Sequence, residues 1–444
     1  MSTKNRMTLF MLAILGLALG GCTKESPFQS EPKIEVTEKG IIDTESVYLH
    51  VASQGDSTRT ASAGRPHWMG QEQLVKFKWT PTSLKVVQLE PEERFQGNPT
   101  NEKVVFEIPV EHLDYNCSSD RFGECTNKEE ENNKVDWSKK TKFRPDFANI
   151  NISQVQILPV ELENYFGGGC YHETSHHFAG YTFENDAVNF KIERSYTASI
   201  ECLDDSAESL ADATFTTLTH YSFMKLDRIK DPSYQKVVYP QKDENDFGFF
   251  TTDVKSLDID NRDVVNGKIT YLNRWNPDKG TIVYHMSDSF NEFPKLKEAS
   301  LKAVAAINTA LAKAKLSKPL KLELREPSGK DPGDLRNNMI VLVKDPLAAR
   351  VIGYGPSIAN PLTGEIVNAR TVMYLGTILT TIRTTYNEFV ESMKQGPAPQ
   401  STDRVFSFNI PGVSQTAKDS MPAALLSPLR GQENLAVRLP RSFN

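Results

Sequence analysis

Gly280-Thr-Ile-Val-Tyr-His-Met286, followed by Pro294-Lys-Leu-Lys-Glu-Ala-Ser-Leu-Lys-Ala-Val-Ala-Ala-Ile-Asn-Thr-Ala-Leu311, is the passage in which the chain changes character. The first piece is short and rich in β-branched and aromatic residues, and reads as a strand. Pro294 then sits early in a long alanine-rich helix, whose positions Leu296, Ala303, Val304, Ile307 and Leu311 fall on one face. Downstream, residues 320–324 and 338–344 read as further strands. Residues 351–375 read as an extended pair around the turn Asn360-Pro-Leu-Thr-Gly364, and 376–394 as another helix. Strand, helix, strand, strand and hairpin make an α/β layer arrangement.

Upstream the pattern is β. Runs of Val, Ile, Phe, Tyr and Thr recur at 46–51, 74–79, 84–89, 104–110, 155–158, 181–197 (broken near Asn185), 214–224 and 237–239, with no helical stripe among them. The charged stretch 126–140 reads as a solvated insertion loop. The fold class is therefore α+β: a β-rich domain over 46–252, then an α/β domain over 253–394 with a mixed sheet and one long backing helix. Residues 22–45 are polar and weakly periodic, a tether, and 395–444, rich in Pro and Ser, a loosely ordered tail.

Composition narrows the function classes. Lys plus Arg number 51 against 57 Asp plus Glu, a formal charge of -6 that leaves no basic surplus for a phosphate backbone, so a nucleic-acid partner is not expected. The sequence has no Gly-x-Ser-x-Gly, no phosphate-cradling glycine loop and no dinucleotide fingerprint.

Residues 1–21 read as an address. Lys4 and Arg6 give a cationic start, 7–19 is apolar but too short to span a bilayer comfortably, and Leu19-Gly20-Gly21-Cys22 closes the segment with small residues before a cysteine. This resembles a bacterial lipoprotein signal, which implies cleavage before Cys22 and acylation of that residue. Each buried methylene would contribute about 0.8 kcal/mol to membrane attachment. Thr23 lacks the acidic character that retains many lipoproteins at the inner membrane, so the resemblance points to a lipid-anchored protein of the outer membrane.

Export places Cys117, Cys125, Cys170 and Cys202 in an oxidising compartment, where an even number favours two disulfides. Of the three pairings, Cys117 with Cys125 and Cys170 with Cys202 are local: the first closes a polar turn, the second a hairpin. A zinc cluster of the four is disfavoured because no Cys-x-x-Cys pair starts it.

A second resemblance involves the later half. Tyr271-Leu-Asn-Arg-Trp-Asn-Pro-Asp-Lys-Gly-Thr-Ile-Val-Tyr-His285, the helix after it, and Gly353-Tyr-Gly-Pro-Ser-Ile-Ala-Asn-Pro-Leu-Thr-Gly-Glu-Ile-Val-Asn368 look like the first half of the catalytic domain in large bacterial zinc metalloproteases of the metzincin type. Those enzymes also carry a β-rich N-terminal region. The resemblance implies peptide-bond hydrolysis by a zinc ion in the intact family. It also implies an edge strand over 353–368 where an extended peptide substrate adds to the sheet.

One departure decides the mechanism. Metzincins hold zinc with His-Glu-x-x-His-x-x-Gly-x-x-His on a helix, the glutamate acting as base on the metal-bound water. No histidine follows His285 in this chain, so the α/β domain is expected to be incomplete and inactive alone, as in a truncated product or a pseudoenzyme. His172-Glu173-Thr174-Ser175-His176, followed by His177, matches the short motif elsewhere. As a zinc site it would use His172 and His176 as ligands and Glu173 as base. Its surroundings are β-rich, however, and the residue six beyond His176 is Thr182, so it reads as a chance match; surface metal binding by the three histidines stays open. Asp258-Ile-Asp260-Asn-Arg-Asp263 has calcium-loop spacing, but Arg262 occupies a ligand place, and a solvated turn is expected. No catalytic residue and no metal ligand are assigned. Two classes remain: the N-terminal portion of a lipid-anchored metalloprotease, and a noncatalytic envelope lipoprotein that binds through its β-rich region.

Overall fold

The computed structural model describes residues 36–57, 66–89, 103–152, 171–198, 214–229, 231–239, 248–256, 258, 260–314, 320–344 and 352–394. Cys22, Cys170, Cys202, the strand expected at 155–158 and the segment 395–444 lie outside them. One compact unit reaches Ile382, and a second begins at Arg383.

In chain order the strands are β1 (Thr37–Glu38), β2 (Tyr48–Ser57), β3 (Gln73–Trp79), β4 (Ser83–Gln88), β5 (Lys103–Leu113), β6 (Tyr115–Ser119), β7 (Cys125–Glu131), β8 (Lys142–Pro145), β9 (Asn151–Ile152), β10 (Tyr171–Glu184), β11 (Ala187–Ala198) and β12 (Thr214–Lys225). After the short helix α1 (Leu226–Ile229) come β13 (Thr251–Lys255), β14 (Lys268–Leu272), β15 (Thr281–Met286), the long helix α2 (Pro294–Lys313), β16 (Lys321–Arg325), β17 (Asn338–Val343), β18 (Gly353–Tyr354), β19 (Ser357–Ala359), β20 (Ile366–Tyr374) and α3 (Leu375–Lys394). The α+β class is observed, with strands dominating.

The first sheet runs β1-β8-β5-β4-β3-β2-β12-β11-β10, with β9 on β5, and every pair is antiparallel. It curls until its ends meet: Phe143 of β8 and Phe183 of β10 stand 5.6 Å apart, and Phe147 stacks on Phe178 at 4.3 Å. Inside the curl lies an aromatic core that includes Phe77, Phe106, Phe190, Tyr221 and Phe223. The strand period of two explains why β2 is apolar on both sides. Tyr48 and Ala52 point into the curl, whereas Leu49 and Val51 point outward into a second cluster with Leu335 of the loop before β17 and with Ile358 and Val367 of the later sheet. Thr37 and Glu38 pair with β8 and Ile42 is buried, within the stretch expected to be a tether.

The later sheet runs β16-β15-β17-β20-β18, with β19 also on β20. Its first four strands are parallel, and β18 and β19 return antiparallel at the edge. In β17 the run Met-Ile-Val-Leu-Val is apolar because both faces are covered: Met339, Val341 and Val343 share one cluster with Val372 and Tyr374, while Leu342 joins Met286 and Phe290 on the other face.

Three expectations need correction. Residues 126–140 are not simply a loop: β7 pairs with β6 in a two-stranded ribbon closed by the Cys117–Cys125 disulfide, its turn held by Asp120, whose carboxylate accepts from the N–H groups of Phe122 and Glu124. A ribbon in solvent has no apolar face, so alternation could not reveal it. Residues 237–239 form only a single bridge, Val238 to Tyr271. Finally, α2 buries nothing fully; Leu296, Val304 and Leu311 are half-buried, whereas Ala303 and Ile307 are exposed, because one sheet face covers only a narrow stripe of the helix.

Candidate functional site

The His-Glu-x-x-His segment lies on β10, paired along its length with β11. At about 3.3 Å of rise per residue, strand geometry sets the backbones of His172 and His176 roughly 13 Å apart, about twice the separation in a helix. A bulge falls between Glu173 and Ser175. Glu173 is already engaged on both oxygens: His176 Nδ1 lies 2.6 Å from Oε1, and Arg194 donates to Oε2. Arg194 is buried and also donates to Tyr221 Oη at 3.2 Å. Burial is the largest influence on its guanidinium and opposes the charge, but Tyr221, Tyr196 and Glu173 together raise its pKa above the ordinary value. A carboxylate engaged on both oxygens by Arg194 and His176 is not poised as a base on a metal-bound water. The segment therefore does not fit a catalytic zinc ion. Among the described residues no group of three His, Cys, Asp or Glu side chains stands together as a metal site. His177 is exposed and faces Glu193 at 3.5 Å. The segment around Asp260 forms Asx turns, with Asp258 Oδ1 accepting from Asp260 N and Asn261 Oδ1 from Asp263 N.

The motif at 353–368 builds the sheet edge. Asn360 organises its turn: its carbonyl accepts from Thr363 N and Gly364 N, and its side chain from Leu362 N. Gly364 has φ +74°, and a Cβ there would lie 2.8 Å from the Leu272 carbonyl, so the position needs glycine. Glu365 is buried, which is the main cause of its raised carboxyl pKa. Much of the motif is used to join the two sheets. Ile358 and Ala359 are buried, while Gly353 and Gly355 stay exposed. Trp68 stacks on Tyr354 at 4.1 Å, Tyr374 Oη donates to the Pro66 carbonyl at 3.0 Å, and buried Arg370 donates to the carbonyls of His67 and Pro332.

Between the two sheets lies a cavity of about 450 Å³. Its polar centre is Asp331, whose carboxylate forms an ion pair with Lys191 of β11 and stands 3.1 Å from His220 Nδ1 of β12. Burial is the largest influence on Asp331 and pushes its carboxyl up, but His220 and Lys191 outweigh it and hold the carboxyl well below the usual range. The His220 ring fits because two glycines flank it. A Cβ on Gly55 would fall 2.4 Å from its Nε2, and one on Gly333 2.0 Å from its Nδ1. The loop carrying Asp331 is fastened again by Arg336 to Glu184 and Asp186, and by Leu335 N to Ser222 Oγ at 3.1 Å.

No protein-family model, curated protein or solved structure matches this chain. No helix among its described residues is long and apolar enough to cross a membrane.

Sequence reasoning missed Lys191, His220, Asp331 and Arg370. His220 occupies an ordinary place in an alternating strand, and Asp331 looks like part of an Asp-Pro-Gly turn, so neither carries a local signal. Only tertiary pairing brings them together.

Proposed function

We propose that this chain is the N-terminal portion of a lipid-anchored, exported zinc metalloprotease of the metzincin type, without peptide hydrolysis of its own. The observation that supports it most is the later sheet: four parallel strands, the helix α2 between β15 and β16, and an antiparallel edge at β18–β19, within the stretch 353–368 where the resemblance expects an edge strand. The exposed backbone at Gly353 and Gly355 is where an extended peptide would add alongside the sheet. The expectation of no hydrolysis by this chain rests on the one His-Glu-x-x-His, which lies on a strand with its glutamate held by Arg194. In this reading Cys22 carries the lipid and the protein resides at the outer membrane of a bacterial envelope.

A noncatalytic envelope lipoprotein that binds through its β-rich region is the second reading, favoured by the cavity bordered by β11 and β12. Chelator-sensitive casein cleavage by the purified chain would contradict both readings, which expect none. Membrane fractionation tests the anchor: Cys22→Ser should move the protein from the membrane to the soluble fraction, and a variant that stays bound would contradict it.

A further inference from the structure

The cavity lies where an open α/β sheet commonly places its ligands. From β15 the chain passes to β16 on one side, whereas from β17 it passes to β20 on the other, so winding reverses between the carboxyl ends of β15 and β17. Loops that leave such a point diverge and open a crevice. Here residues 287–289 follow β15 and residues 341–344 close β17, and both groups line the cavity. The opposite wall is the first sheet, through Lys191, Leu218 and His220. At about 450 Å³ the space is of ligand size, since small-molecule sites span roughly 300–1,000 Å³.

Charge and polarity specify what fits. Lys191 and Lys330 line the space, and the Arg370 guanidinium lies directly behind its wall, bonded to His67 and Pro332, which line it. Against these stand Asp288 and Asp331, while Lys344 is neutralised by Glu292 at 2.8 Å. One positive charge is in excess, before any proton on His220. Arg370 is 2% exposed, and its Nε has no hydrogen-bond partner among the described residues. Burial lowers that guanidinium to about 10, against the opposing pull of Tyr354, Asp331 and Tyr374. Beside these charges and the hydroxyls of Ser287 and Ser289, the walls include the apolar residues Leu218, Val341 and Val343.

We propose that this cavity binds a small monocarboxylate carrying an apolar body, its carboxylate meeting Lys191 and Lys330 and its body lying against Leu218, Val341 and Val343. A single excess charge suits a carboxylate better than a phosphate dianion. The same chemistry is offered by the carboxyl end of a peptide and by a fatty acid. The proposal does not depend on the protease reading.

Isothermal titration of the full chain tests it, with N-acetyl-leucine, N-acetyl-leucinamide, octanoate and inorganic phosphate as probes. At least one of the two acids should bind, with the amide at least about tenfold weaker than N-acetyl-leucine where that acid is the ligand, and phosphate no tighter than the acid. Tighter binding of N-acetyl-leucine identifies a peptide end, and tighter binding of octanoate a fatty acid. Lys330→Gln, at an exposed position, should weaken acid binding severalfold. Lys191→Gln should weaken it by about tenfold, and the Lys330 variant decides the matter if loss of the Asp331 ion pair unfolds the other. The proposal is overturned if neither acid binds at concentrations up to about 10 mM, if N-acetyl-leucinamide binds as tightly as the acid, if phosphate binds more tightly, or if Lys330→Gln leaves acid binding unchanged.

Discussion

The two sheets solve the problem of coverage in opposite ways. The curled β-rich sheet covers itself: its strands wrap round an aromatic core in which Phe77, Phe106, Phe143, Phe190 and Phe223 are essentially inaccessible. The later sheet is open and leans on a neighbour. Its helix α2 buries no residue fully, and Leu301 and Ile307 on that helix remain 39% and 44% exposed. Its other face is closed by the first sheet, through Leu335, Ile358 and Val367 against Leu49, Val51 and Leu74. A self-closed sheet can hold a fixed shape alone, whereas an open one depends on what docks against it, and the cavity lies at that dependent boundary.

The largest expected effect separates the two kinds of coverage directly. Phe106→Ala in the closed core should lower stability by about 3–5 kcal/mol, whereas Ile307→Ala on α2 should change it by less than about 0.5 kcal/mol. Urea denaturation monitored by tryptophan fluorescence would measure both. Equal losses at the two positions would remove the distinction.

The second effect belongs to the closed core and depends on pH. His50 is completely buried, stacked on Phe223 at 4.2 Å, with Nδ1 3.0 Å from the Ser222 carbonyl. Burial pushes its imidazole down from 6.5 to about 3, against the weaker opposing effect of that carbonyl. Between those values the unfolded chain binds a proton that the folded chain refuses. Its contribution is therefore complete above pH 6.5 and is lost as pH falls towards 3, on the order of 3–5 kcal/mol in all. Denaturation midpoints measured from pH 7 to 4 should fall, and His50→Gln should flatten the decline. A variant with the same acid sensitivity as the parent would show that another group governs it.

A smaller effect is expected at the boundary. Gly333→Ala would bring a methyl group within 2.5 Å of His220 Cβ as well as its ring, so it should cost about 1–3 kcal/mol through overpacking. In a double-mutant cycle, His220→Ala should recover only part of that loss, because it removes the ring atoms in conflict but keeps the Cβ that a methyl at 333 would meet at 2.5 Å. Additive losses in the cycle would mean that the ring is not what requires glycine at Gly333.

How much was legible followed the same division. A strand such as β17 stands out because burial on two faces writes a continuous apolar run, and the Asn360-to-Gly364 turn because a left-handed position needs glycine. The β6–β7 ribbon was invisible because it buries nothing, and the contact face of α2 was drawn too wide because amphipathic spacing does not reveal how broad the opposing surface is. The β context of Glu173 and His176 was legible from their neighbours, but the clamp by Arg194 was not, since it depends on the register of β10 against β11. His220 and Asp331 meet only through the docking of the two sheets, a contact that no local pattern encodes.

The proposal that this chain is part of a metalloprotease without peptide hydrolysis of its own is tested most directly by one paired measurement on the purified protein. Metal content by mass spectrometry is determined alongside hydrolysis of a quenched fluorescent casein, for the parent and for Glu173→Gln. The account predicts no stoichiometric tightly held zinc, no chelator-sensitive hydrolysis, and no difference in hydrolysis between the two proteins. One zinc ion per chain, with hydrolysis that Glu173→Gln abolishes, would contradict it.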